Sequence, residues 1–285
     1  MSMIDRPGLD PYWRDETRHL VVYHADFRDI VPHLDPVDLI LTDPPYGQTA
    51  LAWDRWPDGW CAAAAQVLKP TGSMWCFGTL RMFMEHAAEF TEAGFALAQD
   101  IAGHSIDLIW EKHNGSGFHA DRFRRVHEQA AQFYLPGMWS IGDPRSPVYR
   151  DVQHTYDGEA RKKPTRLRRT APPHYRTAAS SVQTSDGRRQ MRSVLQVRSM
   201  HGKARNETEK PTALILPIMR YACPPGGVVL DMFCGSGAVL EVAGATGRAA
   251  IGIDIREEQC EIAARRLETP GAPLFAGSPP GSNNK

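Results

Sequence analysis

Four consecutive residues, Asp43-Pro44-Pro45-Tyr46, follow directly on an apolar run that begins at Val37. The run reads as a buried strand, and the prolines end it because they lack the N–H that a central ladder needs. At the carboxyl end of a parallel strand these residues would open onto a binding crevice. A carboxylate beside the free carbonyl of Pro44 is a rigid acceptor pair suited to an exocyclic amine. Tyr46 adds an aromatic face on which a planar base can stack. The plainer reading is a strand-ending turn with Asp43 as an N-cap.

A second constellation is Asp231-Met232-Phe233-Cys234-Gly235-Ser236-Gly237, set between an expected strand and an expected helix. Glycines here let backbone approach a ligand, and a helix N-terminus offers N–H groups. The next strand ends at Asp254, 17 residues past Gly237, where a carboxylate can accept ribose hydroxyls. A full dinucleotide fingerprint would have glycine or alanine at Leu240, which disfavours a nicotinamide dinucleotide. The two glycines alone also describe a tight turn, but the strand and Asp254 favour a nucleoside.

Lys plus Arg and Asp plus Glu both total 33, yet they are unevenly placed. Residues 145–205 hold 15 basic against 4 acidic side chains, a net of +11, so the remainder carries −11. The densest run is Arg161, Lys162, Lys163, Arg166, Arg168 and Arg169, with Arg188 and Arg189 further on. Either this is a solvated basic loop, or it tracks several phosphates of a nucleic acid.

The elements that must position these residues alternate. Strands are expected at 19–27, 37–47, 72–78, 105–111, 128–135, 228–231 and 249–255. Helices are expected at 56–69, 80–93, 211–222, 235–247 and 257–267. Such alternation indicates a doubly wound, mostly parallel α/β sheet, with the poorly patterned basic middle carried on it. The Pro-, Gly- and Ser-rich stretch 269–285 reads as a disordered tail.

Composition excludes other classes. With 42% hydrophobic and 23% charged residues, the chain can build a globular core. No apolar run reaches the roughly 18 residues of a membrane span. Five cysteines without a close CxxC pair fit neither a disulfide framework nor a zinc ribbon, so no metal is expected. The first residues lack a secretory pattern, and a cytoplasmic location is expected by elimination.

Taken together, TDPPYG at 42–47, DMFCGSG at 231–237 and GIDI at 252–255 resemble the amino-type DNA methyltransferases that use S-adenosyl-L-methionine. The DPPY element precedes the glycine motif here, an order similar to the family's permuted beta class. HGKARNETEKP at 201–211 is similar to the family's H-x-T-E-K-P element but carries extra residues at 202–206. DLIWEKHNGSG at 107–117 adds to the likeness, while Ala238 stands where threonine is more usual. The resemblance covers 20–135 and 201–267 and leaves out the basic middle.

The resemblance implies a permuted Rossmann-like fold with a seven-stranded sheet. It divides the chain into a catalytic half (1–135), a basic target-recognition insertion (136–200), a cofactor half (201–268) and the tail. Asp43, Pro44, Pro45 and Tyr46 would be catalytic. Asp26, Asp43, Thr208, Lys210, Asp231, Phe233, Gly235, Gly237 and Asp254 would bind S-adenosyl-L-methionine, and the eight basic residues named above would bind DNA. The implied reaction is methylation of the N6 amine of adenine in duplex DNA, with base flipping. N4-cytosine methylation and a catalytically inactive DNA-binding protein are the alternatives. A homodimer is possible by analogy with the family, and no membrane partner is implied.

Overall fold

The computed structural model describes residues 9–99, 105–116, 120–136, 156–157, 189–200, 205 and 208–269. Five strands form a parallel run: β2 (Leu20–His24), β3 (Val37–Thr42), β4 (Leu68–Gly78), β11 (Val228–Asp231) and β12 (Ala249–Asp254), in the spatial order β2-β12-β11-β3-β4. Beyond β4 the sheet continues through β7 (Arg125–Tyr134), antiparallel to it, and β6 (Asp107–Ser116), antiparallel to β7. These seven strands form the expected frame. The short β1 (Trp13–Asp15), β5 (Ala96–Leu97) and β10 (Val194–Gln196) extend it to a 10-stranded mixed sheet.

Alternation along the central strands sends their side chains into two cores. Val21 of β2 and Ile40 of β3 join one core, while Leu20, Val22, Leu39 and Leu41 join the other. The first is covered by α1 (Phe27–Ile30), α2 (Trp60–Val67) and α4 (Ala87–Glu92), which contribute Phe27, Trp60 and Phe90. The second is covered by α5 (Thr212–Ala222), α6 (Ala238–Ala245) and α7 (Glu257–Glu268), which contribute Leu214, Leu240 and Cys260. Helices on both faces make the fold doubly wound.

The strand expected at 37–47 ends at Thr42, the helix expected at 56–69 spans Trp60–Val67, and two further expectations change. The strand expected from Gly72 begins at Leu68, directly after α2. The helix expected over 80–93 is broken at His86 into α3 (Leu80–Glu85) and α4. His86 lies outside helical geometry (φ −109°, ψ 13°), and its ring stacks on Trp56 at 3.6 Å and 6°. Glu89 accepts from Trp56 Nε1 at 2.7 Å and meets His86 Nδ1 at 2.8 Å, so this break fastens the loop that follows the DPPY residues.

Strands from residues 20–134 and 228–254 interleave in one sheet, with β11 and β12 lying between β2 and β3. Of the basic middle, β8 (Tyr156–Asp157) pairs with β9 (Arg189–Gln190), and β10 joins the main sheet beside β6. The rest of 137–188 and the tail from 270 lie outside the described residues.

Candidate active site

Parallel order brings the carboxyl ends of β2, β12, β11, β3 and β4 to one edge, where connecting loops diverge and leave a cleft. Asp43, Asp231 and Asp254 stand at the ends of the neighbouring strands β3, β11 and β12. All three line one cleft with Asp26, Pro45, Thr208, Lys210, Phe233 and Gly235. Residues separated by almost the whole chain are thus collected in one place.

The glycine turn is built for tight packing. Gly235 and Gly237 adopt positive φ (48° and 75°). A Cβ on Gly237 would also lie 3.0 Å from the Ala263 side chain, so glycine is required there twice over. Both glycine N–H groups are engaged: Gly235 N–H donates to Asp254 Oδ2 at 2.9 Å and Gly237 N–H to the Cys234 carbonyl at 2.8 Å. The Gly235 bond ties the end of β11 to the end of β12, and Asp254 also accepts from Arg256 N–H at 2.9 Å within its own turn. Phe233 packs edge-on against Phe27 and Trp60, with centroids 5.8 and 5.9 Å apart, and so anchors the turn in the core. Asp26 caps α1 and pairs with Arg28 at 2.8 Å.

Asp231 is 4% exposed. Burial pushes its carboxyl up to about 7, against the bonds from Phe233 N–H (3.2 Å) and the Thr42 hydroxyl (3.0 Å) that favour the charged form.

The DPPY loop is fixed from behind. Asp54 accepts the N–H groups of Gly47, Gln48 and Thr49 at 2.8, 3.0 and 2.6 Å. In front, Tyr46 Oη donates to Asp43 Oδ1 and Lys210 Nζ donates to Asp43 Oδ2. Both carboxylate oxygens therefore already carry a donor. Burial raises the Asp43 carboxyl above its ordinary value, and the Lys210 ammonium opposes that rise.

Two residues of this cluster escape sequence reasoning. Glu128 of β7 faces Lys210 at 3.5 Å, and Lys112 of β6 donates to its other oxygen. Burial alone would raise Glu128, but the two lysines outweigh it and hold the carboxyl low. Glu128 falls at the first position of an expected strand, where a charged residue reads as solvated. In the sheet Glu128 lies across from Trp110 of β6, a pairing that no local pattern announces. Trp53 and Arg256, stacked at 4.6 Å on the cleft wall, likewise belong to no motif of the sequence.

Lys210 and Thr208 reach the cleft on a segment clamped by its neighbour. Glu209 binds Arg266 of α7 at 2.8 Å, and Arg266 also holds Glu241 at 2.6 Å and Ser236 Oγ at 3.0 Å. Of the expected DNA-binding residues, Arg189 lies in β9, and Arg161, Lys162, Lys163, Arg166, Arg168, Arg169 and Arg188 fall outside the described residues. Among the described residues no cluster of three His, Cys, Asp or Glu side chains could hold a metal ion, and no helix is long and apolar enough to cross a membrane.

With this geometry established, known proteins give it context. A family model for N6/N4 methyltransferases, described as DNA methylase, matches residues 37–265. The type II methyltransferase M.HinfI of Haemophilus influenzae is 22% identical over 262 residues, covering 82% of this chain. The match spans 63% of that relative, less than two thirds of its length. The solved complex of M1.HpyAVI with SAM superposes with a TM-score of 0.57 at 24% identity, covering 87% of this chain and all of that one. The cytosine-N4-specific PvuII DNA methyltransferase gives 0.57 at 15% identity, over 91% and 89% of the two chains. At such identities the structural likeness establishes the fold.

Proposed function

Since this chain belongs to the N6/N4 DNA methylase family, we propose that it moves a methyl group from S-adenosyl-L-methionine to the N6 amine of adenine in duplex DNA. One observation carries the reading: the DPPY carboxylate and the two aspartates flanking the glycine turn open into the same cleft. A cofactor held by the turn and an amine held by Asp43 would therefore meet.

The cleft fits such a cofactor chemically. Its wall includes the acidic side chains of Asp26, Asp43, Asp231 and Asp254, which offer acceptors for hydroxyl and amine donors and a negative lining for a cationic cofactor, and the aromatic rings of Phe233 and Trp53 beside a nucleoside. Asp231, Phe233, Gly235, Gly237 and Asp254 would hold the nucleoside part, with Asp26 near its base and Thr208 and Lys210 toward the amino-acid end. The cofactor would supply an electrophilic methyl group on positively charged sulfur, whose methyl–sulfur bond would break as the new N–C bond forms and leave a neutral thioether.

The protein's contribution is positioning and proton management. An aromatic amine is a weak nucleophile because its lone pair is delocalised into the ring. Hydrogen bonds from the amine to Asp43 and to the Pro44 carbonyl favour a pyramidal nitrogen with a localised lone pair. Pro44 and Pro45 stiffen that acceptor pair. After the new N–C bond forms, the surplus proton on nitrogen passes to the Asp43 carboxylate. Positioning of this kind accounts for most of the catalysis expected here. The target base must first leave the helix at a cost of about a few kcal/mol, partly offset by stacking in the site.

The same edge supports a polyanionic substrate. Arg125 begins β7 beyond the end of β4, and the adjoining residues Arg122, Phe123 and Arg124 include a fully exposed aromatic ring. Together with the basic middle, this supports a duplex lying across the carboxyl edge.

The test is mass spectrometry of nucleosides from unmethylated plasmid incubated with the protein and S-adenosyl-L-methionine. N6-methyladenine is expected. N4-methylcytosine would keep the mechanism and change the base, consistent with the cytosine-N4 specificity of the PvuII enzyme. No modified nucleoside would favour an inactive DNA-binding protein.

A further inference from the structure

The proposed reaction needs an Asp43 oxygen to accept the target amine, yet Lys210 Nζ and Tyr46 Oη occupy both. Each oxygen keeps a second lone pair, but a carboxylate still paired with an ammonium is a weaker acceptor and a weaker base for the amine proton, so the reaction gains if Lys210 lets go. Lys210 is 8% exposed, so its ammonium cannot simply turn to water without a large cost in buried charge. It does have a second acceptor within reach. Glu128 Oε2 lies 3.5 Å from Lys210 Nζ, and this buried oxygen takes no hydrogen bond among the described residues. Glu128 is itself kept in place through its other oxygen by Lys112.

Resting on the amine-methylation reading, we propose that Lys210 is a latch shared by two carboxylates: it holds Asp43 in the empty site and shifts to Glu128 when the target amine arrives. The exchange keeps the ammonium paired throughout, while Asp43 trades its cation for the N–H donor of a neutral amine beside the cofactor's positively charged sulfur. The ammonium passes from one buried carboxylate to another, while the amine replaces it on Asp43. The hydrogen bond that Asp43 loses is replaced by one from the amine, and the ammonium gains the unpartnered Glu128 oxygen, which limits the cost of the movement. The latch also keeps Asp43 ionised in a partly buried setting until a substrate donor is present. Lys210 and Glu128 are then positioning residues acting through Asp43.

The charged and titratable groups facing Asp43 are Lys210, Glu128 from β7 and Tyr46 from its own loop. Asp231 of β11 and the Cys76 thiol of β4, which burial keeps neutral, lie behind them, and Lys112 of β6 faces Glu128. Removing the negative charge of Glu128 strands the ammonium on Asp43. Removing the ammonium leaves two carboxylates facing each other and raises the pKa of the pair.

The experiment measures methyl transfer and cofactor binding in the full chain for wild type, Glu128→Gln, Lys210→Met, Lys210→Arg and the Glu128→Gln/Lys210→Met double variant. For Glu128→Gln, kcat should fall about tenfold or more, with cofactor Kd unchanged within about twofold and the acid limb of kcat/KM moved to lower pH. For Lys210→Met the acid limb should move up by about one pH unit or more. The double variant should bring it back down, and Lys210→Arg should hold it near wild type. Wild-type kcat in Glu128→Gln overturns the latch. So does an acid limb in Lys210→Met that stays at the wild-type position, which would leave Lys210 as a cofactor ligand only. If Lys210→Met does not fold, as thermal melting would show, Glu128→Gln decides alone. A wild-type protein that methylates no DNA overturns the function and the latch together, whereas an active wild type matched by Glu128→Gln overturns the latch only.

Discussion

Thr42 and Asp231 are joined by a buried hydrogen bond, the Thr42 hydroxyl donating to Asp231 Oδ1 at 3.0 Å across 189 residues of chain. Thr42 is the last residue of β3 and Asp231 the last of β11, and the two strands are parallel neighbours. This bond fixes the start of the DPPY loop against the start of the glycine turn. It links the segment expected to hold the amine directly to the segment expected to hold the cofactor.

The Asp231 carboxyl gives stability a pH dependence. Its folded value is raised to about 7, whereas in the unfolded chain it ionises at about pH 4. Between these values the folded protein keeps a proton that the unfolded chain has released, so this contribution is lost as pH rises. Asp231→Asn retains the Oδ1 acceptor and removes the titration. Without cofactor, the variant should gain about 2–4 kcal/mol on wild type between pH 5 and pH 8. Denaturant melts at both pH values check this, and parallel curves would refute it.

Arg266 binds Glu209, Glu241 and Ser236 from the interior of the protein, and the Glu209 side chain is 1% exposed. Arg266→Met should destabilise the fold by about 3–5 kcal/mol, because Glu209 is left as a buried charge without its cation. Cofactor affinity should fall as well, since the same guanidinium supports the glycine turn. Urea unfolding and cofactor titration read the two effects separately.

Neutralising Arg166, Arg168 and Arg169 together should weaken DNA binding. The slope of log K against log salt should become shallower by about 0.9 for each phosphate that no longer meets a cation. Binding isotherms between low and moderate salt measure it. An unchanged slope would mean that this run is merely solvated.

Much of this arrangement is legible in the sequence because it is written in local chemistry. The strand expected at 228–231 is β11 to the residue, since its apolar run stops where the turn chemistry of Phe233–Gly237 begins. The end of β3 is fixed in the same way by Pro44 and Pro45. Expectations falter where long-range contacts decide. No local signal breaks the 80–93 helix; the break follows from Trp56 stacking on His86. The engagement of both Asp43 oxygens is equally hidden, because Lys210 arrives from 167 residues away. Glu128 and Lys112 belong to the site only through the antiparallel pairing of β6 with β7, which hydropathy patterning does not reveal. The glycine turn is visible as a motif, but not that Asp254 would claim the Gly235 N–H.

If Asp43 holds the amine in a cleft where other residues hold the cofactor, single-turnover methyl transfer to unmethylated duplex DNA should separate wild type from Asp43→Ala, both preloaded with radiolabelled S-adenosyl-L-methionine. The prediction is transfer by the wild type, and a loss of about a thousandfold or more in Asp43→Ala with cofactor affinity kept within a few-fold. Transfer by Asp43→Ala at the wild-type rate, or loss of cofactor binding in step with loss of activity, would contradict it.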